Sequence, residues 1–181
     1  MSLNINPNLL TGTRYFSGSD WVNLDITNLN LDYNIVPGFA VYRVSNQDWN
    51  GLTQYIKVYA GETYTFSMYF RYNGVGDDYL TNQTHVYIEL NNKGMDQERP
   101  GVWGADVAMD GSNVVANVNN KFVRIHYTFT VVKDGYIKPR VERGPMPNIE
   151  IQEYGLKLER GSEMTSYCGT VEEGGGSYAK C

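Results

Sequence analysis

At 181 residues the chain is one domain's worth, and folding at that size removes roughly 70% of the extended chain's surface from water, enough for one sizeable core. Fifteen Tyr, six Phe and three Trp make it 13% aromatic with only 19% charged residues, a composition that excludes intrinsic disorder because so much aromatic surface does not stay solvated. The formal net charge of −5 argues against a nucleic-acid backbone or an anionic membrane as the main partner, since both select for an excess of Lys and Arg.

In chain order, residues 1–7 read as an N-terminal arm. They hold no basic segment followed by an apolar run, so no signal peptide is expected and the chain should fold in a host cytoplasm, wherever it later works. No stretch approaches the roughly 20 apolar residues of a membrane span. Beyond the arm the hydrophobic period is two almost everywhere. Residues 39–44, 54–59, 64–72, 85–90, 122–132, 136–142 and 149–159 are each rich in aromatic or β-branched side chains and bounded by turn formers. No segment carries a helical stripe of useful length. Ala60-Gly61-Glu62 and Lys133-Asp134-Gly135 read as tight turns between strands, so hairpin-linked antiparallel strands with one wet face are predicted.

Parity assigns the faces. Tyr64, Phe66, Met68 and Phe70 form the apolar set of 64–72, which turns Thr65, Ser67, Tyr69 and Arg71 outward. His85, Tyr87 and Glu89 oppose Val86, Ile88 and Leu90. Arg124, His126 and Thr128 oppose Val123, Ile125, Tyr127 and Phe129, and Lys138, Arg140 and Glu142 oppose Ile137, Pro139 and Val141. If these strands are neighbours, the outward residues make a platform of aromatics, Arg, His and carboxylate; otherwise they are ordinary solvated sheet faces. A single sequence leaves the strand order open.

From 91 to 120 the pattern dissolves into Gly, Asn, Asp and isolated apolar residues. Structureless stretches beyond about 12 to 15 residues are uncommon in compact domains and are usually functional or mobile. Trp103, between glycines in Pro100-Gly101-Val102-Trp103-Gly104, either packs back on the core or offers a flat stacking surface. Trp49 has the same two readings, and Trp21 is read as core.

Chemistry-bearing motifs are sparse. There is no nucleophile elbow, phosphate loop, zinc-protease motif or dinucleotide fingerprint. His85 and His126 fall on different strands with no third ligand implied, so no metal site is expected. Cys168 and Cys181 lie in a C-terminal tail over 168–181; with no CxxC spacing and no second pair they imply no structural zinc, a disulfide between them would close the tail, and they are read as free thiols. Glu89 and Glu142 are the best carboxylate pair for glycoside hydrolysis, but nothing in the sequence faces them toward each other. The chain is read as no enzyme, with glycoside hydrolase as the weaker alternative.

A resemblance adds to this. Asn8-Leu9-Leu10-Thr11-Gly12-Thr13 with Phe16-Ser17-Gly18 and Trp21, then Tyr55-Ile56-Lys57-Val58-Tyr59-Ala60-Gly61-Glu62-Thr63-Tyr64-Thr65-Phe66-Ser67, then Thr128-Phe129-Thr130 and Ile137-Lys138-Pro139-Arg140-Val141-Glu142, and finally Gly155-Leu156-Lys157-Leu158-Glu159-Arg160-Gly161-Ser162 run in order across 8–167. The ordered set resembles the carbohydrate-binding-module domains of tail, baseplate and other virion proteins of bacteriophages that infect Gram-positive hosts. The resemblance implies an all-β fold, an antiparallel β-sandwich jelly roll of the galactose-binding-like type, over 8–167. It implies a non-catalytic virion protein, present in several copies per particle, that contacts other virion proteins and binds host cell-surface polysaccharide. Sugars offer apolar CH faces to Tyr and Trp and hydroxyls to Arg, Glu and Asn. On that basis Tyr69, Arg71, His85, Tyr87, Glu89, Trp103, Arg140, Glu142 and Trp49 are the candidate saccharide residues. Related modules often hold a structural calcium ion near the first turn and the last strand. Here Ser17 stands where an acidic ligand is common, Glu153 is a remnant candidate on the other side, and calcium is not favoured as a cofactor. The alternative role is a structural decoration or adaptor protein whose jelly roll serves protein contacts.

Overall fold

The structure, a computed structural model, describes residues 6–22, 24, 29–30, 36–44, 51–73, 84–92, 96–98, 105–106, 122–131, 133–143 and 150–168. Among them are ten strands and no helix: β1 (Leu29–Asn30), β2 (Val41–Val44), β3 (Ile56–Val58), β4 (Thr63–Asn73), β5 (Thr84–Asn92), β6 (Asp96–Glu98), β7 (Ala105–Asp106), β8 (Val123–Thr130), β9 (Gly135–Arg143) and β10 (Glu150–Arg160). Each of the seven predicted segments contains or overlaps one strand. β1, β6 and β7 were not predicted, because two or three residues are too few to show a period; β6 and β7 lie in the unpatterned 91–120 stretch and are held by pairing with β5.

The strands form two sheets, ordered β1-β2-β10-β4-β8 and β3-β9-β5-β6, with β7 also on β5. Every described pairing is antiparallel. The turns at Gly61 and Asp134 do not close hairpins. β3 and β9 belong to the second sheet, while β4 and β8 belong to the first, so both turns carry the chain across from one sheet to the other. The turn chemistry reads the same in either case, which is why the sequence pointed to hairpins. The two crossings are tied to each other: Gly61 N–H donates to Val131 O at 2.9 Å, Val131 N–H to Glu62 O at 2.9 Å, and Ala60 N–H to Asp134 Oδ1 at 2.8 Å.

One hydrophobic cluster is shared by both sheets. Tyr64, Phe66, Met68, Phe70, Ile125, Phe129, Leu156 and Leu158 come from the first, Val58, Ile137 and Val141 from the second, and Leu10, Phe16, Trp21 and Leu52 from the connecting segments. The alternation of β4 is realised as predicted, its four apolar residues being at most 1% exposed. Each such side chain contributes about 1.5–3 kcal/mol by leaving water.

β10 departs from strict alternation. Its register against β4 passes from Tyr154↔Tyr69 to Lys157↔Ser67, so two residues of β10 oppose one of β4, and Gly155 sits there at φ 60°. This bulge reverses the parity of the strand. Before it, Glu153 pairs with core-facing Phe70; after it, Leu158 pairs with core-facing Phe66 and Lys157 with outward-facing Ser67. Without the extra residue the leucines would turn outward and Lys157 and Glu159 inward.

Candidate functional site

The outer face of the first sheet carries Thr65, Ser67, Tyr69 and Arg71 from β4, Arg124 from β8, and Lys157 and Glu159 from β10. It is not wet. Residues 161–168 run back across it as a strap, and Thr65, Ser67, Lys157 and Glu159 are all fully buried. Thr165 sits at the centre of the contact. Its hydroxyl donates to Glu159 Oε2 and accepts from Lys157 Nζ, both at 2.5 Å, and its amide donates to Glu159 Oε1 at 3.0 Å. Lys157 Nζ also donates to Ser166 O at 2.9 Å, while Arg124 Nη2 spans Ser67 Oγ at 3.0 Å and Thr165 O at 2.6 Å. Loss of water lowers the pKa of both Lys157 and Arg124; for Lys157 the hydrogen bond and charge of Glu159 oppose that shift.

Beside the strap, Tyr69 and Tyr154 stack at 4.7 Å between ring centroids with planes 5° apart. Phe39 lies 5.1 Å from both Tyr154 and Tyr167, Phe122 meets Tyr154 edge-on at 4.8 Å, and the Arg71 guanidinium sits 4.4 Å above Phe122. Arg71 Nε donates to Gln152 Oε1 at 2.7 Å. Burial, reinforced by Tyr69, pushes the Tyr154 hydroxyl up to about 12. A Cβ on Gly155 would lie 3.2 Å from the Tyr69 ring, so the glycine that makes the bulge also lets these rings close over it. Tyr69 and Arg71, expected on an open platform, thus have ring and guanidinium faces turned to protein neighbours.

The second sheet presents a different surface. Tyr55, Tyr59 and Tyr136 are 50%, 41% and 42% exposed, and Lys57 is registered against Tyr136. The Lys57 ammonium lies 5.4 Å from the Tyr59 ring and that of Lys138 5.7 Å from the Tyr55 ring. Each is within cation–π range, which steadies both partners. Arg140 follows on β9, 8% exposed, with Nη1 donating to Lys138 O at 3.0 Å. It is walled in by the crossing segment at Gly51, where a Cβ would meet Val141 O at 2.0 Å and Arg140 Cβ at 3.1 Å. The β5–β9 ladder registers His85 with Glu142, Tyr87 with Arg140 and Glu89 with Lys138.

Five of the predicted site residues therefore share two adjacent strands, as backbone positions, and Tyr69 and Arg71 stand on the other sheet. The outward faces make two surfaces rather than one platform. Trp49 and Trp103 lie outside the described residues. Glu89 and Glu142 are four steps apart along the ladder, about 13 Å of backbone at ~3.3 Å per residue. Tyr55, Tyr59 and Tyr136 were missed as site residues, although the parity of 54–59 and 136–142, which groups them with Lys57 and Lys138, was readable.

No protein-family model and no curated protein matches the chain. Solved structures that share its fold include a phage baseplate tripod and a set of xylanase modules. The tripod (BppUct-A-L) from the baseplate of bacteriophage Tuc2009 superposes with a TM-score of 0.52 at 14% identity, over 93% of this chain and 60% of that one. The CBM22-1–GH10 modules of Clostridium thermocellum endo-1,4-β-D-xylanase 10B, complexed with xylohexaose, superpose with a TM-score of 0.52 at 12% identity, over 90% of this chain and 30% of that one. The chain thus spans less than two thirds of either neighbour, and the likeness is one of fold.

Calcium takes six to eight oxygen ligands, several of them carboxylates, and no group of three His, Cys, Asp or Glu converges among the described residues. Glu153 is fully buried with both carboxylate oxygens lacking hydrogen bonds, and burial raises its pKa to about 8; protonation removes the charge that burial penalises. Cys168 is disulfide-bonded, which corrects the expectation of a free thiol there; Cys181 lies outside the described residues.

Proposed function

We propose that the chain is a non-catalytic module of a phage virion protein, a β-sandwich jelly roll of the carbohydrate-binding-module type, that binds host cell-surface saccharide during adsorption to a Gram-positive host. The observation that carries this reading is the set of exposed tyrosines on the outer face of the second sheet. Tyr55, Tyr59 and Tyr136 turn ring surface to solvent on one face of that sheet, and the ammonium groups of Lys57 and Lys138 stand beside the Tyr59 and Tyr55 rings. Flat rings next to polar donors suit a sugar, which needs stacking for its CH face and hydrogen bonds for its hydroxyls. The fold shared with a baseplate tripod and with xylanase modules that were solved with a bound oligosaccharide supports both halves of the proposal. A shallow face binds weakly, so several copies on one particle would multiply affinity without new contacts.

A second reading, a decoration or adaptor subunit that uses the jelly roll for protein contacts, is favoured by the neighbour's being part of a tripod assembly. Retention on a glycan array and on purified host cell walls separates the two. Binding that falls at least tenfold in Tyr55→Ala/Tyr136→Ala, and also in Tyr87→Ala and Arg140→Ala, supports the saccharide role. A wild-type chain that retains no glycan at millimolar concentration leaves the adaptor role standing.

A further inference from the structure

The strap over the first sheet is built unlike a core element. None of residues 161–168 belongs to the hydrophobic cluster between the sheets, and Gly161, Ser162, Glu163, Met164 and Ser166 are exposed. From Gly161 to Ser166 the strap is held by hydrogen bonds, which water or another polar chain replaces at small net cost; its end is fastened by the Tyr167 ring against Phe39 and by the buried, disulfide-bonded Cys168. Beneath it lies a fully buried ion pair, Lys157–Glu159, at 3.1 Å. Such a pair adds little stability for the desolvation it requires, so its place on the outside of a sheet, under a polar cover, needs another account. The pair grips one hydroxyl from both sides, with Glu159 accepting from Thr165 Oγ1 and Lys157 donating to it. Arg124 reaches the adjoining carbonyl, and the Tyr69–Tyr154 stack borders the same face. A hydroxyl that donates and accepts at once, with a ring at its flank, is what a sugar or polyol residue presents.

We propose that the 161–168 strap is an internal stand-in for a ligand: the outer face of the first sheet is a second binding groove for a polyhydroxylated chain, closed by the strap and opened when such a chain displaces Thr165 from between Lys157 and Glu159. The ligand chemistry rests on the saccharide reading above, but the site and its gate are separate from the tyrosine face of the second sheet. A ligand opens the groove to the extent that it binds the uncovered face better than the covered one.

The experiment uses the full chain with Tyr55→Ala/Tyr136→Ala, which silences the second sheet, on an array of neutral and anionic oligosaccharides that includes xylohexaose. In that background Thr165→Ala/Tyr167→Ser, which frees the strap without entering the core, is expected to raise retention of at least one glycan tenfold or more, and Glu159→Gln is expected to abolish the gain. In the otherwise native chain the same glycan should speed hydrogen exchange of the Thr165 amide. If the strap variant keeps its near-ultraviolet circular dichroism and gains no glycan, the inference is overturned. Should that variant unfold, Thr165 exchange that no glycan accelerates overturns it equally. Unchanged binding by Tyr55→Ala/Tyr136→Ala with the strap intact would remove the second-sheet site and leave this one standing.

Discussion

Lys157 and Glu159, two residues apart on β10, join Nζ to Oε2 at 3.1 Å with neither side chain exposing any surface. Removing one partner strands the other as a buried charge, at a typical cost of about 3–5 kcal/mol. Lys157→Met is therefore expected to lower the unfolding free energy by that order. The double variant Lys157→Met/Glu159→Leu should recover most of it, because apolar groups of similar volume fill the site without a desolvation penalty. Urea denaturation of the two singles and the double closes the cycle; additive losses would mean that the two side chains do not interact.

Gly155 does two things at one position. At φ 60° it occupies the left-handed region, where a side chain costs roughly 1–2 kcal/mol, and a Cβ there would press the Tyr69 ring at 3.2 Å. Gly155→Ala should lose about 2 kcal/mol or more and weaken the exciton signal of the Tyr69–Tyr154 stack in circular dichroism. A stable variant with the signal intact would show that the bulge tolerates a side chain.

Why the sequence disclosed some of this and not the rest can be read from the same strand. Tyr64, Phe66, Met68 and Phe70 follow an unbroken period of two, and their burial was predictable from parity alone. Glu153 and Leu156 both face inward although they are an odd three positions apart, because the bulge at Gly155 inserts a residue; a glycine between Tyr154 and Leu156 does not announce that. Tyr69 and Tyr87 are both outward by parity, yet they stand on different sheets, since sheet order comes from long-range pairing that local pattern does not encode. The cover over Thr65 and Ser67 was equally invisible: alternation tells which way a side chain points, not what the chain later lays across it.

The buried carboxyl of Glu153 gives a pH dependence with a definite sign. Its pKa is raised by burial from 4.5 to about 8, so between those values the folded chain holds a proton that the unfolded chain has released. The contribution of this group is full below about pH 4.5, declines as pH rises toward 8, and is lost above it, a span on the order of 5 kcal/mol. Wild type should lose stability against Glu153→Gln between pH 5 and 8.5, read as the difference between their urea midpoints. Millimolar calcium at pH 8 is expected to leave both melting temperatures unchanged; a rise in wild type alone would assign the carboxylate to a cation.

The fifteen tyrosines divide by what their removal should do. Tyr64 is fully buried within the shared cluster, its hydroxyl bonded to Glu62, so Tyr64→Ala leaves a cavity and should cost about 3–5 kcal/mol. Tyr55 and Tyr136 keep about half their surface in water, and truncating either removes one ring and, at Tyr55, a cation–π contact with Lys138. Each is expected to shift stability by less than about 1 kcal/mol while lowering glycan retention. Thermal melts run beside the binding assay decide the matter. If Tyr55→Ala and Tyr136→Ala destabilise as much as Tyr64→Ala, those rings are packing elements, and the second-sheet face loses its claim to be a saccharide surface.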